Sequence, residues 1–338
     1  MPEPSKYDTY TSPLAERNAS AEMLRLWSPR HKFNTWRRIW LAVAEAQHEV
    51  TKDQPTPLVT REQVEELRAV VSRGITDDEI RLAEKYERDL RHDVMAHVHA
   101  LGDACPKARP IIHLGMTSQD VVCNADLLLL GEAYVVVNQK IVRAICSLGR
   151  TAGTHAALPC LGFTHYQPAQ PMTVGRRTAQ WAHDLFLTLS FDGRFDTWVF
   201  RGLRGATGTQ ASFLALVDGE AAIVDRLDRH ISRMLWQELE GEPWEMVEPD
   251  GYSVVMRARM SMDRSFYLTG QTYPRVFDTF ILADLASTAS VLHKIATDIR
   301  LLSNRKELDE PFESKQIGSS AMPYKRNPMR CERICGLA

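Results

Sequence analysis

Residues able to move protons or hold anions gather in four short stretches: RHDVMAHVH at 91–99, HLGMTSQD at 113–120, GFTHYQPAQP at 162–171 and IGSSAMPYKRNPMRCER at 317–333. The last opens on Gly318, Ser319 and Ser320, whose permissive backbone and hydroxyls can cradle an oxyanion. It closes on four cations, Lys325, Arg326, Arg330 and Arg333, with Pro323 and Pro328 constraining the chain between. Such a cluster also suits a nucleic-acid patch, but Tyr324 is its only aromatic and the chain as a whole carries a net charge of −2. A small, multiply anionic substrate fits better than nucleic acid. In the third stretch Pro168 and Pro171 stiffen the backbone around His165 while Thr164 and Gln167 give it polar neighbours, which suits a positioned acid or base. His92, His97 and His99 are five and two residues apart and share no helical face, and HExxH is absent, so no metal site is expected.

The elements that must carry these stretches read as helices. From Val276 to Leu308 there is neither proline nor glycine, and Phe277, Ile281, Leu285, Leu292, Ile295, Ile299 and Leu302 recur mostly at spacings of three and four, predicting one helix of about 30 residues. Residues 124–150 and 172–199 are two further long candidates, each with an internal glycine. Rods of this length point to an elongated bundle whose apolar faces meet other subunits. Shorter helices are expected at 33–50 and 60–73, a domain boundary falls near Pro110, and no alternating strand pattern of any length is visible. Between 236 and 263 two glycines and two prolines interrupt helix, leaving either an inserted surface loop or sequence foreign to the native coding region.

With 44% hydrophobic and 25% charged residues over 338 positions, the chain has the composition of a globular protein of roughly two domains. No stretch reaches ~18 uninterrupted apolar residues, and the start MPEPSKYDTYTSPLAER lacks the apolar core of a secretion signal. A cytoplasmic protein without a membrane partner is expected. The cysteines at 105, 123, 146, 160, 331 and 335 form no CxxC pair, which suits reduced thiols.

GSSAMPYKRNP resembles the signature loop of the fumarase/aspartase superfamily, whose members eliminate fumarate from a succinyl group attached through nitrogen or oxygen. Together with RHDVMAHVH, IIHLGMTSQD, LGFTHYQPAQP, GATGTQASF and TGQTYPR it is similar to the adenylosuccinate lyase family, its animal form above all, from about Ser12 to Ala338. The resemblance implies an all-α fold: a small N-terminal helical domain over 1–111, then a long central helical bundle over 112–338, interrupted near 236–263. It implies a homotetramer with active sites built from three subunits. It also implies β-elimination without metal or cofactor, releasing fumarate from adenylosuccinate to give AMP and from the succinyl-carboxamide ribotide to give AICAR.

The family's roles fall on particular positions. His165 is implied as general acid and Ser319 as general base. Arg91, His92 and Asp93 match a substrate-binding triplet, with His92 near His165. Thr117 and Ser118 match groups on the succinyl carboxylate, and Gln271 matches a further substrate contact. Lys325 and Asn327 match the loop groups that hold fumarate, while Arg333 and Arg17 match nucleotide contacts. Asn18 stands where the family commonly has tyrosine. Chemistry alone favours histidine as base, because a serine hydroxyl is far too weak an acid. A serine base requires the loop to close so that Lys325 and backbone dipoles stabilise an alkoxide. Family members continue for well over a hundred residues past this loop, so the expected C-terminal domain and further arginine and serine contacts lie outside these 338 residues. That leaves open a non-catalytic form of the protein, or another lyase of the superfamily such as one acting on argininosuccinate.

Overall fold

The computed structural model describes residues 10–190, 198–240, 244–247, 253–256 and 265–338. Contacts divide the chain into two compact units, one of Met1–Val136 with Phe195–Pro274, the other of Val137–Arg194 with Arg275–Ala338.

Unit 1 begins with three helices, α1 (Pro13–Asn18), α2 (Ala21–Leu26) and α3 (Pro29–Thr51). α3 starts where Ser28 caps the His31 N–H and Pro29 supplies a preset φ at the first position. Its buried face carries Trp36, Ile39, Trp40, Val43 and Gln47, the three–four spacing of a helix lying on a core. α4 (Arg61–Ser72) and α5 (Asp77–Leu90) both open with complete capping boxes, Thr60 with Gln63 and Thr76 with Glu79. The sequence-expected helices 33–50 and 60–73 are these α3 and α4, displaced by a few residues at their ends because the caps, not the apolar pattern, fix the boundaries.

Glu79 does more than cap. Its carboxylate also meets Arg73 at 2.7 Å and the buried Arg37 at 3.2 Å. Burial works against its charge, but the Arg73 guanidinium, the Thr76 cap and Arg37 outweigh that and hold the carboxyl at about 2. α5 ends with Arg91 in the left-handed region (φ 54°), and His92 immediately caps α6 (Asp93–Ala104) by accepting the Met95 N–H. α6 buries His97 against Phe33, ring centroids 3.8 Å apart.

α7 (Ser118–Thr154) runs 37 residues, about 55 Å at 1.5 Å per residue. Its first turns belong to unit 1, where Val121, Ala125 and Leu128 are buried. Unit 1 also holds α9 (Ala211–Leu216) and α10 (Ala221–Glu240).

Unit 2 contains a hairpin of β1 (Pro159–Thr164) and β2 (Gln167–Thr173), then α8 (Val174–Ser190), α11 (Val276–Asn304) and α12 (Met329–Leu337). Trp181 and Leu185 of α8 pack with Ile295 and Leu302 of α11, and the Trp181 N–H donates to Asp298 at 2.9 Å. α11 is long and apolar enough to span a membrane by length and composition. Lys294 on the same helix pairs with Asp298 and Asp184 at 3.1 and 3.7 Å, the pattern of a bundle helix with one polar stripe.

The helical fold class holds, and the structure adds to it two short hairpins where no alternating strand pattern was visible. The 162–171 stretch is the end of the β1–β2 hairpin, with Gly162 at a bulge where a Cβ would stand 2.9 Å from the Gln170 carbonyl. Prolines at 168 and 171 broke the alternation that announces a strand, and a two-stranded ribbon with no further neighbour tolerates them. Between 236 and 263, α10 continues to Glu240 and two short strands, β3 (Trp244–Val247) and β4 (Ser253–Met256), pair antiparallel. The rest of that segment lies outside the described residues, as do 191–197 of the 172–199 helix candidate, whose first two residues belong to β2 and whose last two, 198 and 199, are not helical. The mainly helical architecture stands.

Candidate active site

In unit 1 the second and first polar stretches converge. His92 Nδ1 accepts the Met95 N–H at 3.3 Å, and its Nε2 faces Ser118 Oγ at 3.4 Å. Thr117 Oγ1 accepts from Gln271 Nε2 at 3.0 Å, and Gln271 Oε1 accepts the Thr207 N–H at 2.7 Å. His92, Thr117, Ser118, Gln271 and the 205–210 loop therefore form one polar wall. Asp93 turns its carboxylate to the Val94 N–H at 2.7 Å and lies 3.7 Å from His92. Arg91 is exposed beside them. Arg17 and Asn18, also exposed, sit on α1, and no hydrogen bond among the described residues joins them to this wall.

The wall is fixed from behind by Asp120, fully buried one turn into α7. Its carboxylate pairs with the buried Arg201 guanidinium and accepts N–H groups from Thr117 (2.8 Å), Arg204 (2.9 Å) and Gly205 (3.1 Å). Burial pushes the Asp120 carboxyl up, while Arg201 and those three donors pull it back. The 205–210 loop has four positive φ values, at Gly205, Thr207, Gly208 and Gln210. At Gly208 a Cβ would stand 2.1 Å from the Thr269 carbonyl, so only glycine fits.

Two further residues, His113 and Asp120, belong to this site. His113 opens the second stretch at φ 70°, and the Trp40 indole N–H donates to its Nδ1 at 3.1 Å, which places its proton on Nε2. Burial first, then the neighbouring His92, pushes it down to about 4, so it stays neutral at pH 7. Asp120 closes the HLGMTSQD stretch. The signal for it was the glycine-rich FRGLRGATG run, which needs an internal acceptor, and Arg201 supplies the matching charge. The three histidines weighed as metal ligands go separate ways: His92 to Ser118, His97 into the core, His99 to Arg109 at 3.3 Å.

In unit 2 the other two stretches present the remaining groups. His165 and Tyr166 form the two-residue turn of the β1–β2 hairpin, with φ 51° and 58°. That is the φ pattern of a type I′ turn, normally Asn-Gly or Gly-Gly. Non-glycine residues there store roughly 1–3 kcal/mol each, strain that accumulates at functional sites. His165 stands exposed at the tip.

Ser319 follows the buried Gly318, where a Cβ would stand 2.1 Å from the Lys325 carbonyl, so the loop folds tightly on itself. Ser319 Oγ accepts the N–H groups of Ala321 (3.4 Å) and Met322 (3.3 Å). Lys325 donates its backbone N–H to Met322 O at 3.0 Å and leaves its ammonium exposed. Asn327 is half-buried and Arg333 is exposed on α12. The first N–H groups of α12 do not face outward to an anion. Those of Arg330 and Cys331 are taken by Glu310, at 3.1 and 2.7 Å.

A family model described as "Lyase" matches residues 16–190 and 267–338. The chain belongs to this family, the lyases of the fumarase/aspartase superfamily. Within it the sequence is similar to adenylosuccinate lyases: 46% identical to that of Saccharomyces cerevisiae, 45% to that of Schizosaccharomyces pombe and 43% to that of Schistosoma mansoni, in each case over 98% of this chain and 63% of the relative. The chain thus spans less than two thirds of the length of these relatives. Among solved structures it resembles a 3-carboxy-cis,cis-muconate lactonizing enzyme from Pseudomonas putida (TM-score 0.69, 21% identity, 96% of this chain and 64% of that one). It also resembles a fumarate lyase from Mesorhizobium sp. BNC1 (TM-score 0.67, 20% identity, 94% and 62%). These two establish the fold. The family match is interrupted between 190 and 267, a gap that contains the 236–263 segment.

Proposed function

We propose that this chain carries the catalytic groups of an adenylosuccinate lyase, eliminating fumarate from adenylosuccinate to give AMP and from the succinyl-carboxamide ribotide SAICAR to give AICAR. The observation that carries the reading is the pair of backbone N–H groups on Ser319 Oγ. A serine can remove a proton only if its alkoxide is stabilised, and donors directed at the oxygen favour the charged form. The Ser319 alkoxide takes the proton from the carbon next to a succinyl carboxylate. The electrons form the fumarate double bond, the carbon–nitrogen bond breaks, and His165 gives its proton to the departing nitrogen. Negative charge grows on the carboxylate during the first step, and the Thr117 and Ser118 hydroxyls with Gln271 are the donors assigned to it. Lys325 and Asn327 hold the fumarate portion. Arg91, His92 and Asp93 bind substrate, and Arg17, Asn18 and Arg333 meet the nucleotide.

In this reading 1–111 is the N-terminal domain, 112–338 is part of the central bundle, and the protein is a cytoplasmic homotetramer needing no cofactor. Identity of 43–46% to adenylosuccinate lyases supports a nucleotide substrate over argininosuccinate or aspartate. The test is the purified chain given adenylosuccinate, SAICAR, argininosuccinate and aspartate in parallel, with fumarate followed by absorbance. Release from the two nucleotides is expected; preference for argininosuccinate or aspartate would overturn the substrate assignment.

A further inference from the structure

The hairpin that carries His165 lacks the usual means of holding a tight turn. It has two strands only, a bulge at Gly162, prolines at 168 and 171, and no glycine or asparagine at either positive-φ position. An isolated ribbon of this kind is marginal in water. Core packing reaches it through Phe163, which lies against the Trp181–Leu302 cluster, but the rest of its inner face covers a cavity of about 280 Å³ lined by Tyr166, Met172 and Arg177 together with Trp181 and Leu301. The tip geometry must be imposed by something else in unit 2.

Two side chains reach the hairpin, and one reaches out from it. Arg177, from α8, donates Nη2 to the Leu161 carbonyl at 2.5 Å. Arg305 lays its guanidinium over Phe163 at 4.3 Å from the ring centroid and reaches Tyr166 at 6.0 Å. The Tyr166 hydroxyl donates to the Leu301 carbonyl at 3.2 Å. Both arginines meet one carboxylate: Glu307 accepts from Arg305 Nε at 3.1 Å and lies 3.7 Å from Arg177 Nη1. Glu307 is itself presented by an unusual helix end. Lys306 has φ 63°, its N–H bonds to Ser303 O at 3.1 Å, and the Glu307 N–H bonds to Leu302 O at 3.1 Å. This is a Schellman closure built without glycine, which sets Arg305 and Glu307 on either side of one left-handed residue.

We propose that Glu307, acting through Arg305 and Arg177, is a positioning residue that fixes the orientation of His165 by gripping the β1–β2 hairpin along β1, at the Leu161 carbonyl and the Phe163 ring. Its catalytic consequence rests on the function proposed above; the grip itself does not. Orientation of a proton donor matters steeply, and a misplacement of about 1 Å can cost on the order of 100-fold in rate.

The experiment compares wild-type protein with Glu307→Gln and Arg305→Leu by amide hydrogen exchange and by steady-state fumarate release. Exchange in 159–173 is expected to rise at least about tenfold in both variants while 29–51, in unit 1, keeps its wild-type protection. Turnover is expected to fall about 10- to 100-fold with KM within about twofold, and Arg305→Lys, which keeps the charge opposite Glu307, recovers most of both. Unchanged exchange in 159–173 overturns the grip; raised exchange with unchanged turnover overturns its role in orienting His165. Should the charge variants also lose protection in 29–51, Tyr166→Phe, which removes a single hydrogen bond at the tip, decides by the same two readouts. A wild-type chain that releases no fumarate from any substrate would count against the function proposed above, and the exchange data would still decide the grip.

Discussion

The two units hold their polar groups by opposite means. In unit 1 His92 pairs with Ser118 and Gln271 with Thr117, and the wall is backed by a buried ion pair and three backbone donors on Asp120. In unit 2 His165 stands exposed on a strained turn and Ser319 sits in a loop closed mainly by its own backbone. The first arrangement suits groups that recognise a fixed carboxylate. The second suits groups that must approach a reacting atom and withdraw, because residues that move come from parts with few buried contacts. The contrast implies that damage to the unit 1 wall shows up first as lost stability, and damage to the unit 2 groups first as lost chemistry.

The largest stability effect is expected at Asp120. Asp120→Ala leaves the Arg201 guanidinium buried without its partner and strips the acceptor from three N–H groups, which should cost about 3–5 kcal/mol, read as a shift in the denaturant midpoint. A loss below about 1 kcal/mol would erase the distinction between the units.

Acid should single out unit 1 in the same way. Burial, then the Arg37 charge, pushes His97 down to about 4. The unfolded chain therefore takes this proton first, so stability falls as the pH drops below about 6.5 and the loss is complete below about 4. The total is about 3 kcal/mol for a shift of this size. His113 titrates over the same window for the same reason. Glu79, held at about 2, contributes stability that is present above its usual range near 4.5 and disappears as the pH falls through 2. Unfolding monitored from pH 7 to 3 should show a slope between 6.5 and 4 that His97→Phe reduces.

His165→Ala is expected to show the reverse pattern: turnover lower by at least about a hundredfold, with the unfolding midpoint close to wild type because the side chain is exposed. Equal turnover would remove His165 from its assigned role. A smaller effect belongs to the helix caps of unit 1. Thr60→Ala removes one half of a capping box and should cost about 1 kcal/mol without touching activity.

Much of this was legible in the residues, and for unequal reasons. α3, α7 and α11 could be read because a long amphipathic pattern repeats its message many times. The hairpin could not, since its prolines mask alternation and its turn lacks the Asn-Gly signal. All four chemical stretches were visible, yet their supports were not. Asp120 and Arg201 are 81 residues apart, and Glu307, just past the end of α11, meets Arg177 of α8; pairings of that kind are set by topology rather than by local pattern. The end of α11 makes the same point. With neither glycine nor proline before 308 the helix was expected to continue, but Lys306 accepts a left-handed conformation because Leu302 and Leu308 both pack into the core beneath it.

The proposed elimination depends on the serine. Fumarate release from adenylosuccinate should be followed for wild type, Ser319→Ala and Ser320→Ala under one set of conditions. If Ser319 is the base, its removal lowers turnover at least about a hundredfold, while Ser320→Ala loses less than about tenfold. Comparable turnover in Ser319→Ala and wild type, or an equal loss in the two serine variants, would contradict it.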